Sequence, residues 1–110
     1  MKNKKLLNYS DYLQLEKILS GQELMSAKRG TPAHDEMLFI IVHQVYELWF
    51  KQILHELDSV ITIFKQDSII ESDVSFVVLR LQRIIEIQKI LIDQIRVLET
   101  VASSGSDPNT

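Results

Sequence analysis

Hydrophobic and polar residues alternate with a helical period along two long stretches of the chain. In the first stretch, residues 37–64, apolar side chains recur every three or four positions, and at the beginning of the stretch they cover nearly the whole circumference. The pattern predicts a helix over residues 32–65, roughly 50 Å long at 1.5 Å per residue. The second half of this helix is more amphipathic than the first, so we expect it to have one face toward solvent.

The start of the first long helix carries the residue types that helix N-termini favour. Thr31 is the predicted N-cap and Pro32 the predicted first helical residue. Asp35 and Glu36 follow in the first turn, where the helix dipole favours carboxylates. Because the helix is then apolar nearly all round, we expect it to be buried nearly all round, with His43 in packed surroundings.

A second long helix is predicted after a turn at residues 66–71. It runs over residues 73–101, with Ser72 as its N-cap. One apolar stripe has the alternating spacing of four and three that is typical of helix packing, and Gln88 is the polar residue within it. A second stripe runs beside the first. The first stripe consists of Val77, Leu81, Ile84, Leu91, Ile95 and Leu98, and the second of Val74, Val78, Ile85 and Ile92.

The remaining segments are short or polar. Residues 9–19 are predicted to form one short helix, capped by Asn8 or Ser10 and ended by Gly21. The connector up to Pro32 is expected to be partly disordered, and the small polar residues 103–110 to form a disordered tail.

These elements predict an all-α fold. It is a long antiparallel helical hairpin plus a short N-terminal helix, and residues 1–102 form its helical portion. Two helices cannot cover each other's two apolar stripes. We therefore expect a homodimer or homotetramer, with the hairpin as part of an oligomeric helical bundle.

Composition narrows the functional classes. The chain has 110 residues, a formal charge of −3 and no cysteine, which excludes a disulfide framework and a thiolate metal site. No basic stripe with interleaved aromatics indicates a nucleic-acid partner. No apolar run has the length of a membrane span, and no signal peptide is recognisable, so we expect a cytoplasmic protein without a membrane partner.

His43 is the candidate residue for chemistry. It shares a helical face with Phe39, Tyr46 and Phe50, so it is either a core histidine bonded to a carbonyl or to Glu47, or part of a binding site. A di-iron site is not expected, because the Glu-x-x-His pattern of such bundles is missing, and no metal ligand is assigned. The aromatic-rich first half of the chain suits either core packing or a flat aromatic ligand.

Three sequence blocks resemble the tryptophan 2,3-dioxygenase family. They are NYSDYLQLEKILSGQ, HDEMLFIIVHQVYELWFKQILHELDSV and the weaker LQRIIEIQKILIDQIRVLET, and together they lie within residues 8–100. The resemblance implies an all-helical protein that binds haem b. It implies a homotetramer built as a dimer of dimers, which adds both atoms of O₂ to the indole ring of L-tryptophan to give N-formylkynurenine, at the entry to the kynurenine pathway.

The resemblance also assigns site residues. The family's FIxxHQ segment falls on Phe39, Ile40, Ile41, Val42, His43 and Gln44. It implies that Phe39 packs against the indole and contacts the haem, that Ile40, Ile41 and Val42 line the substrate site, and that His43 accepts a hydrogen bond from the indole N–H.

A second family motif falls at the beginning of the chain. The family's Tyr-x-x-Tyr-Leu motif falls on Tyr9, Tyr12 and Leu13, which would then reach the substrate pocket of a neighbouring subunit. A narrow-striped helix before a long connector is consistent with this assignment.

The resemblance covers only about the first third of the family's chain. The proximal haem histidine and the arginine that binds the substrate carboxylate lie beyond it, so activity of this chain alone is not expected. The chain is interpreted as a fragment, a truncated product or a degenerate paralogue. The alternative function is a catalytically inactive helical self-association protein derived from the same scaffold.

Overall fold

The part of the chain that the structure describes forms five helices joined by short connections. The structure, a computed structural model, describes residues 8–31 and 33–103, and no strand occurs among them. The chain divides into two compact units, the first ending at Met37 and the second beginning at Leu38. The helices are α1 (Tyr9–Leu13), α2 (Leu15–Leu19), α3 (Met25–Lys28), α4 (Glu36–Phe64) and α5 (Glu71–Ser103). The all-α prediction is confirmed, and the predicted tail lies outside the described residues apart from Ser103, which ends α5.

The first unit begins with two five-residue helices where the sequence predicts one. Asn8 is the N-cap of α1, and its side-chain oxygen accepts from the Asp11 N–H at 2.9 Å. Gln14 then adopts the left-handed conformation, with φ +56°, and its N–H donates to the Asp11 carbonyl at 3.2 Å. Gln14 thereby ends α1 and begins α2. Glutamine is a good helix former, so neither its helix propensity nor the hydrophobic periodicity of residues 9–19 predicts this break.

The connector, which the sequence predicts to be partly disordered, contains the short helix α3, and a carboxylate holds this helix in place. Glu36 accepts hydrogen bonds from the Met25 N–H at 2.9 Å, from the Ser26 N–H at 3.0 Å and from the Ser26 hydroxyl. The Ser26 hydroxyl oxygen in turn accepts from the Ala33 N–H at 2.9 Å. We call these contacts the Glu36 clasp. They satisfy N–H groups that the first turn of a helix cannot satisfy internally.

The clasp lowers the pKa of Glu36. The largest cause is the hydrogen bond from the Ser26 hydroxyl, and the backbone bonds and the Arg29 charge act in the same direction. A lowered pKa means that the folded state binds the proton less tightly than the unfolded state. The clasp therefore stabilises the fold above the ordinary pKa of a glutamate, and this contribution is lost as the pH falls through the lowered value.

The first long helix begins later than its sequence pattern predicts. It starts at Glu36, whose N–H donates to the Ala33 carbonyl at 3.1 Å. Thr31 is not its N-cap, because the Thr31 N–H donates to the Ser26 carbonyl at 3.1 Å and the residue closes the α3 turn. Pro32 lies outside the described residues, and Asp35 lies in a turn before the helix.

In the second unit, α4 and α5 form an antiparallel hairpin. Tyr46 of α4 contacts Leu91 of α5, 45 residues later. Glu56 of α4, nearer the turn, contacts Arg83 of α5, only 27 residues later. The sequence separation between partners falls toward the turn, as it does in an antiparallel pair. The buried cluster of Val60, Ile63 and Val77 lies close to that turn. Val42, Ile84 and Ile87 continue the core along the hairpin.

The turn gives α5 an earlier start than predicted. The helix begins at Glu71, and the Asp73 carboxylate accepts the Ile70 N–H at 3.1 Å. Ser72 is therefore inside the first turn, and its assignment as N-cap is wrong. Ile70 is the last residue before the helix, and the carboxylate three residues after it caps its N–H, which is one of the two hydrogen bonds of a capping box.

The first long helix, α4, is less buried than the sequence predicts. Phe39 is 53% exposed and Leu48 is 54% exposed, and His43 is exposed as well. The expectation that α4 is buried nearly all round, with His43 in packed surroundings, is therefore wrong for the described chain. The reason is geometric, because α5 covers only one face of α4 and the other apolar faces have no neighbouring helix in this unit.

A buried carboxylate links the two helices. Glu56 is only 4% exposed, and it accepts hydrogen bonds from Arg83 at 3.1 Å and from Gln52 at 2.7 Å. Desolvation raises the pKa of Glu56, but the bonds from Arg83 and Gln52 outweigh it and hold the pKa below its ordinary value. Glu56 thus remains ionised in the hairpin core at neutral pH.

We expect Glu56→Gln to destabilise the hairpin by about 1–3 kcal/mol at neutral pH, because Arg83 and Gln52 lose a charged acceptor. The exposed pair Glu86–Lys89, at 2.9 Å, offers a matched control, and Glu86→Gln should cost several times less. Urea unfolding at neutral pH and at pH 4 measures both. The Glu56→Gln difference should begin to shrink where the carboxylate of the unfolded chain takes up its proton, and it is lost as the pH falls through the lowered pKa of Glu56 in the folded state. Equal losses for the two variants would contradict the assignment.

Candidate functional site

The candidate site begins with two rings on one face of α4. Phe39 and His43 are separated by four residues, which places them one turn apart on a helix. Their ring centroids lie 4.3 Å apart, and the ring planes are tilted by 42°. Both side chains are exposed. They form an aromatic surface that a flat ligand can contact.

A hydrogen bond to the backbone determines which ring nitrogen of His43 carries the proton. The Nδ1 atom lies 2.7 Å from the carbonyl oxygen of Phe39. A carbonyl oxygen can only accept, so Nδ1 carries the proton and donates it. In the neutral imidazole, Nε2 is then the unprotonated nitrogen and a hydrogen-bond acceptor. His43 is thus carbonyl-bonded, as one alternative predicts, but it is not buried in the core.

His43 lies at one end of an open groove between α4 and α5. The groove has a volume of about 430 Å³ and is mostly apolar. Glu47, four residues after His43, also lines it. We call it the His43 groove, and its lining residues are His43, Tyr46, Glu47, Phe50, Leu91, Ile92 and Ile95.

Tyr46 holds the two walls of the groove together. Its hydroxyl donates to the Leu91 carbonyl at 2.7 Å, and its ring stacks on Phe50 with a centroid distance of 6.1 Å. This bond attaches the His43 turn of α4 to α5. The sequence places Tyr46 on the His43 face but gives it no role. A buried tyrosine usually finds a partner for its hydroxyl, which is the only available signal.

The other predicted site residues are distributed over both units. Ile41 is exposed and Ile40 is half-buried, next to the aromatic surface in sequence. Val42 is 8% exposed and belongs to the hairpin core. Tyr9 and Tyr12 are exposed on α1 in the first unit. Leu13, the last residue of α1, is half-buried.

The described residues do not form a metal centre. No group of three or more His, Cys, Asp and Glu side chains is close enough to hold a metal ion in residues 8–31 and 33–103. His34, His43 and His55 are all exposed. Exposed histidines on separate turns do not fit the enclosed site that holds haem iron, so we assign no iron ligand in this part of the chain.

None of the described helices has the length and hydrophobicity that a membrane-spanning helix needs.

Together, the fold and the site define an all-helical protein with an imidazole acceptor beside an aromatic ring at the end of an apolar groove.

Comparison with known proteins places this class of protein in a family. Residues 2–105 match the family model described as tryptophan 2,3-dioxygenase. The chain belongs to the tryptophan 2,3-dioxygenase family.

Individual relatives agree with this assignment. The chain is similar to the tryptophan 2,3-dioxygenase of Alteromonas mediterranea, with 61% identity over 93 residues, which is 84% of this chain and 26% of the relative. It is 54% identical over 95 residues to that of Dictyostelium discoideum, covering 86% of this chain and 24% of the relative. It is 54% identical over 98 residues to that of Rattus norvegicus, covering 88% and 24%. The chain thus spans about a quarter of the length of these relatives.

Proposed function

We propose that this chain supplies the indole-recognising part of a tryptophan 2,3-dioxygenase, a haem-dependent enzyme that opens the indole ring of L-tryptophan with O₂ to give N-formylkynurenine. The observation that carries the proposal is the fixed proton of His43. Because Nδ1 donates to the Phe39 carbonyl, Nε2 is a lone-pair acceptor at the surface of α4. An indole offers a single N–H donor, and Nε2 is its natural partner.

The neighbouring side chains suit the rest of an indole. Phe39 lies against the imidazole and presents an exposed ring on which a flat aromatic can pack. Ile40 and Ile41 add apolar surface beside it, and Val42 supports this turn from the core. A ligand held by a ring contact and by one hydrogen bond has a defined orientation, and analogues without the N–H donor are rejected.

The haem would supply the activation of O₂, and the described residues do not hold its iron. We therefore derive no step through haem. In this proposal the iron ligand and the group that binds the substrate carboxylate come from the three quarters of the relatives' length that lie beyond the matched segment. Phe39 is the residue of this chain that we propose to contact the macrocycle.

We also propose that the complete protein is a homodimer or homotetramer. Tyr9 and Tyr12 are 74% and 71% exposed, which is unusual for two large aromatic side chains on a five-residue helix. Together with Leu13 they provide a small apolar surface for the substrate pocket of a neighbouring subunit. Such a contact would explain why aromatic residues are placed on so short a helix.

A chimera tests the proposed function. Residues 8–103 of this chain replace the matched segment of the Alteromonas mediterranea relative, and N-formylkynurenine formation from L-tryptophan is followed by its absorbance. We expect turnover within about tenfold of the unmodified relative, since 61% identity preserves most contacts. A chimera that folds and binds haem but does not turn over tryptophan would favour the alternative, a self-associating helical protein without catalysis.

A further inference from the structure

The hydroxyl of Tyr46 joins the helix that carries His43 to the helix that forms the opposite wall of the His43 groove. It donates to the Leu91 carbonyl at 2.7 Å. Tyr46 lies three residues after His43 and seven after Phe39, so the three side chains share one face of α4. The bond therefore links α5 to the turns of α4 that present the candidate site.

The packing between α4 and α5 is weaker at this bond than near the turn of the hairpin. One line of α5 faces α4, and its members near the turn are buried, whereas those at and beyond the bond are half-buried. The buried members are Val77, Ile84 and Ile87, and the half-buried members are Leu91, Gln94 and Leu98. On α4 the buried Val42 lies at this end. Because less apolar surface of α5 is removed from water here, the hydrogen bond of Tyr46 has a larger share in holding the helices together.

The side chain of Gln94 adds little to this contact. It lies on the α4-facing line of α5, three residues after Leu91. Its Oε1 atom is buried and has no hydrogen-bond partner in residues 8–31 and 33–103. A buried acceptor without a donor opposes packing rather than supporting it. The end of the hairpin next to His43 is therefore the part where loss of one hydrogen bond has the largest effect on the distance between the helices.

The position of the His43 ring follows the backbone of α4. Its Nδ1 donates to the Phe39 carbonyl one turn back at 2.7 Å, and the two ring centroids are 4.3 Å apart. Both contacts are made within α4, so they orient the ring on its own helix and leave its distance from α5 undetermined. The bond from Tyr46 determines that distance, because it holds the adjacent turn of the same face against Leu91.

We propose that Tyr46 is a positioning residue for indole recognition, which sets the place of the His43 Nε2 atom relative to the α5 wall of the groove. This inference rests on the proposed function of His43. The groove is lined by both helices, so a ligand that enters it meets both walls. A hydrogen bond to Nε2 forms only at about 2.7–3.2 Å between the heavy atoms. A misplacement of about 1 Å can cost about 10²-fold in rate.

Tyr46→Phe in the chimera removes the hydroxyl and little else. The ring remains to stack on Phe50, at a centroid distance of 6.1 Å, and the Leu91 carbonyl keeps the N–H partner of its own helix. We therefore expect a small decrease in melting temperature and a decrease of about tenfold in kcat/KM for L-tryptophan. This loss is smaller than that for removal of the His43 ring, because the acceptor is still present. Steady-state kinetics and thermal unfolding on one preparation measure both effects.

The matched control is Glu56→Gln, which weakens another contact between the same two helices, the bond from Arg83 at 3.1 Å. Glu56 is buried and charged, so this change should lower the melting temperature more than Tyr46→Phe does. It lies nearer the turn and away from the groove, so kcat/KM should remain nearly unchanged. If Glu56→Gln lowers kcat/KM as much as Tyr46→Phe, general loosening of the hairpin explains both losses and the inference is wrong.

A double-mutant cycle with His43→Ala tests how Tyr46 acts. If Tyr46 acts by positioning His43, Tyr46→Phe should have little further effect on kcat/KM in the His43→Ala chimera. The same loss in both backgrounds would mean that Tyr46 acts by another route, and it would overturn the inference. An active chimera in which Tyr46→Phe changes only the melting temperature would also overturn it, and the proposed function would stand. A folded, haem-bound chimera without turnover would overturn both.

Discussion

His43→Ala in the chimera is expected to lower kcat/KM for L-tryptophan by about 10²–10⁴-fold, the usual effect of removing a group that accepts or donates a proton or hydrogen bond at the reacting molecule. The melting temperature should change little, because His43 is exposed and its one hydrogen bond in the described chain is to the carbonyl of its own helix. Discrimination between tryptophan and its indole N-methyl analogue should shrink, since the acceptor that distinguishes them is gone. Steady-state kinetics with both substrates measure these effects.

The matched control is Lys51→Ala, a change of an exposed polar residue two turns farther along α4. It should leave both kcat/KM and the melting temperature unchanged. A His43→Ala chimera with a large loss of stability and normal turnover per folded molecule would mean that His43 is structural. Removing such a group leaves its buried partner without a hydrogen bond, which typically costs about 1–3 kcal/mol.

The second large effect concerns haem. The 110-residue chain alone is expected to bind haem weakly or not at all, whereas the chimera should bind about one haem per chain. The reason is the absence of an enclosed iron ligand among the described residues, where all three histidines are exposed. Titration with haem, followed at the Soret band with and without L-tryptophan, compares the two proteins under identical conditions.

Tight, stoichiometric haem binding by the 110-residue chain, with the spectrum of a histidine-ligated iron, would contradict this expectation. His43→Ala and His55→Ala would then show which imidazole is the ligand. If His43 were the ligand, its Nε2 could not also accept the indole N–H, and the proposed role of His43 would fail with it.

The long helices were predictable because their signals are local and repeated. Alternating apolar residues place α4 and α5 to within a few positions, and the polar turn between them requires an antiparallel pair. The ends were harder, because caps depend on single side chains. Glu36 stabilises the start of α3 from eleven residues away in sequence, and nothing in the local pattern shows which backbone N–H groups it will reach.

Burial was the main error at the site. An apolar circumference predicts burial only if enough neighbouring structure exists, and in the described chain one helix covers one face of α4. In the second unit, exposed large apolar side chains accordingly far outnumber buried ones among the described residues. The pairing of Phe39 with His43 was predictable from a spacing of four. The tautomer of His43 and the bond from Tyr46 to Leu91 were not, because both depend on atomic distances.

The Glu36 clasp also affects how readily proteases cleave the chain. Lys28 and Arg29, the residues that trypsin recognises, lie at the end of α3 in the turn that the clasp secures. A protease must draw several residues into an extended form before it cuts, and a turn held by a carboxylate resists this. Protonation of Glu36 removes the charge that the Ser26 and Met25 N–H groups bind. Cleavage after Lys28 and Arg29 would then follow the ionisation of one side chain.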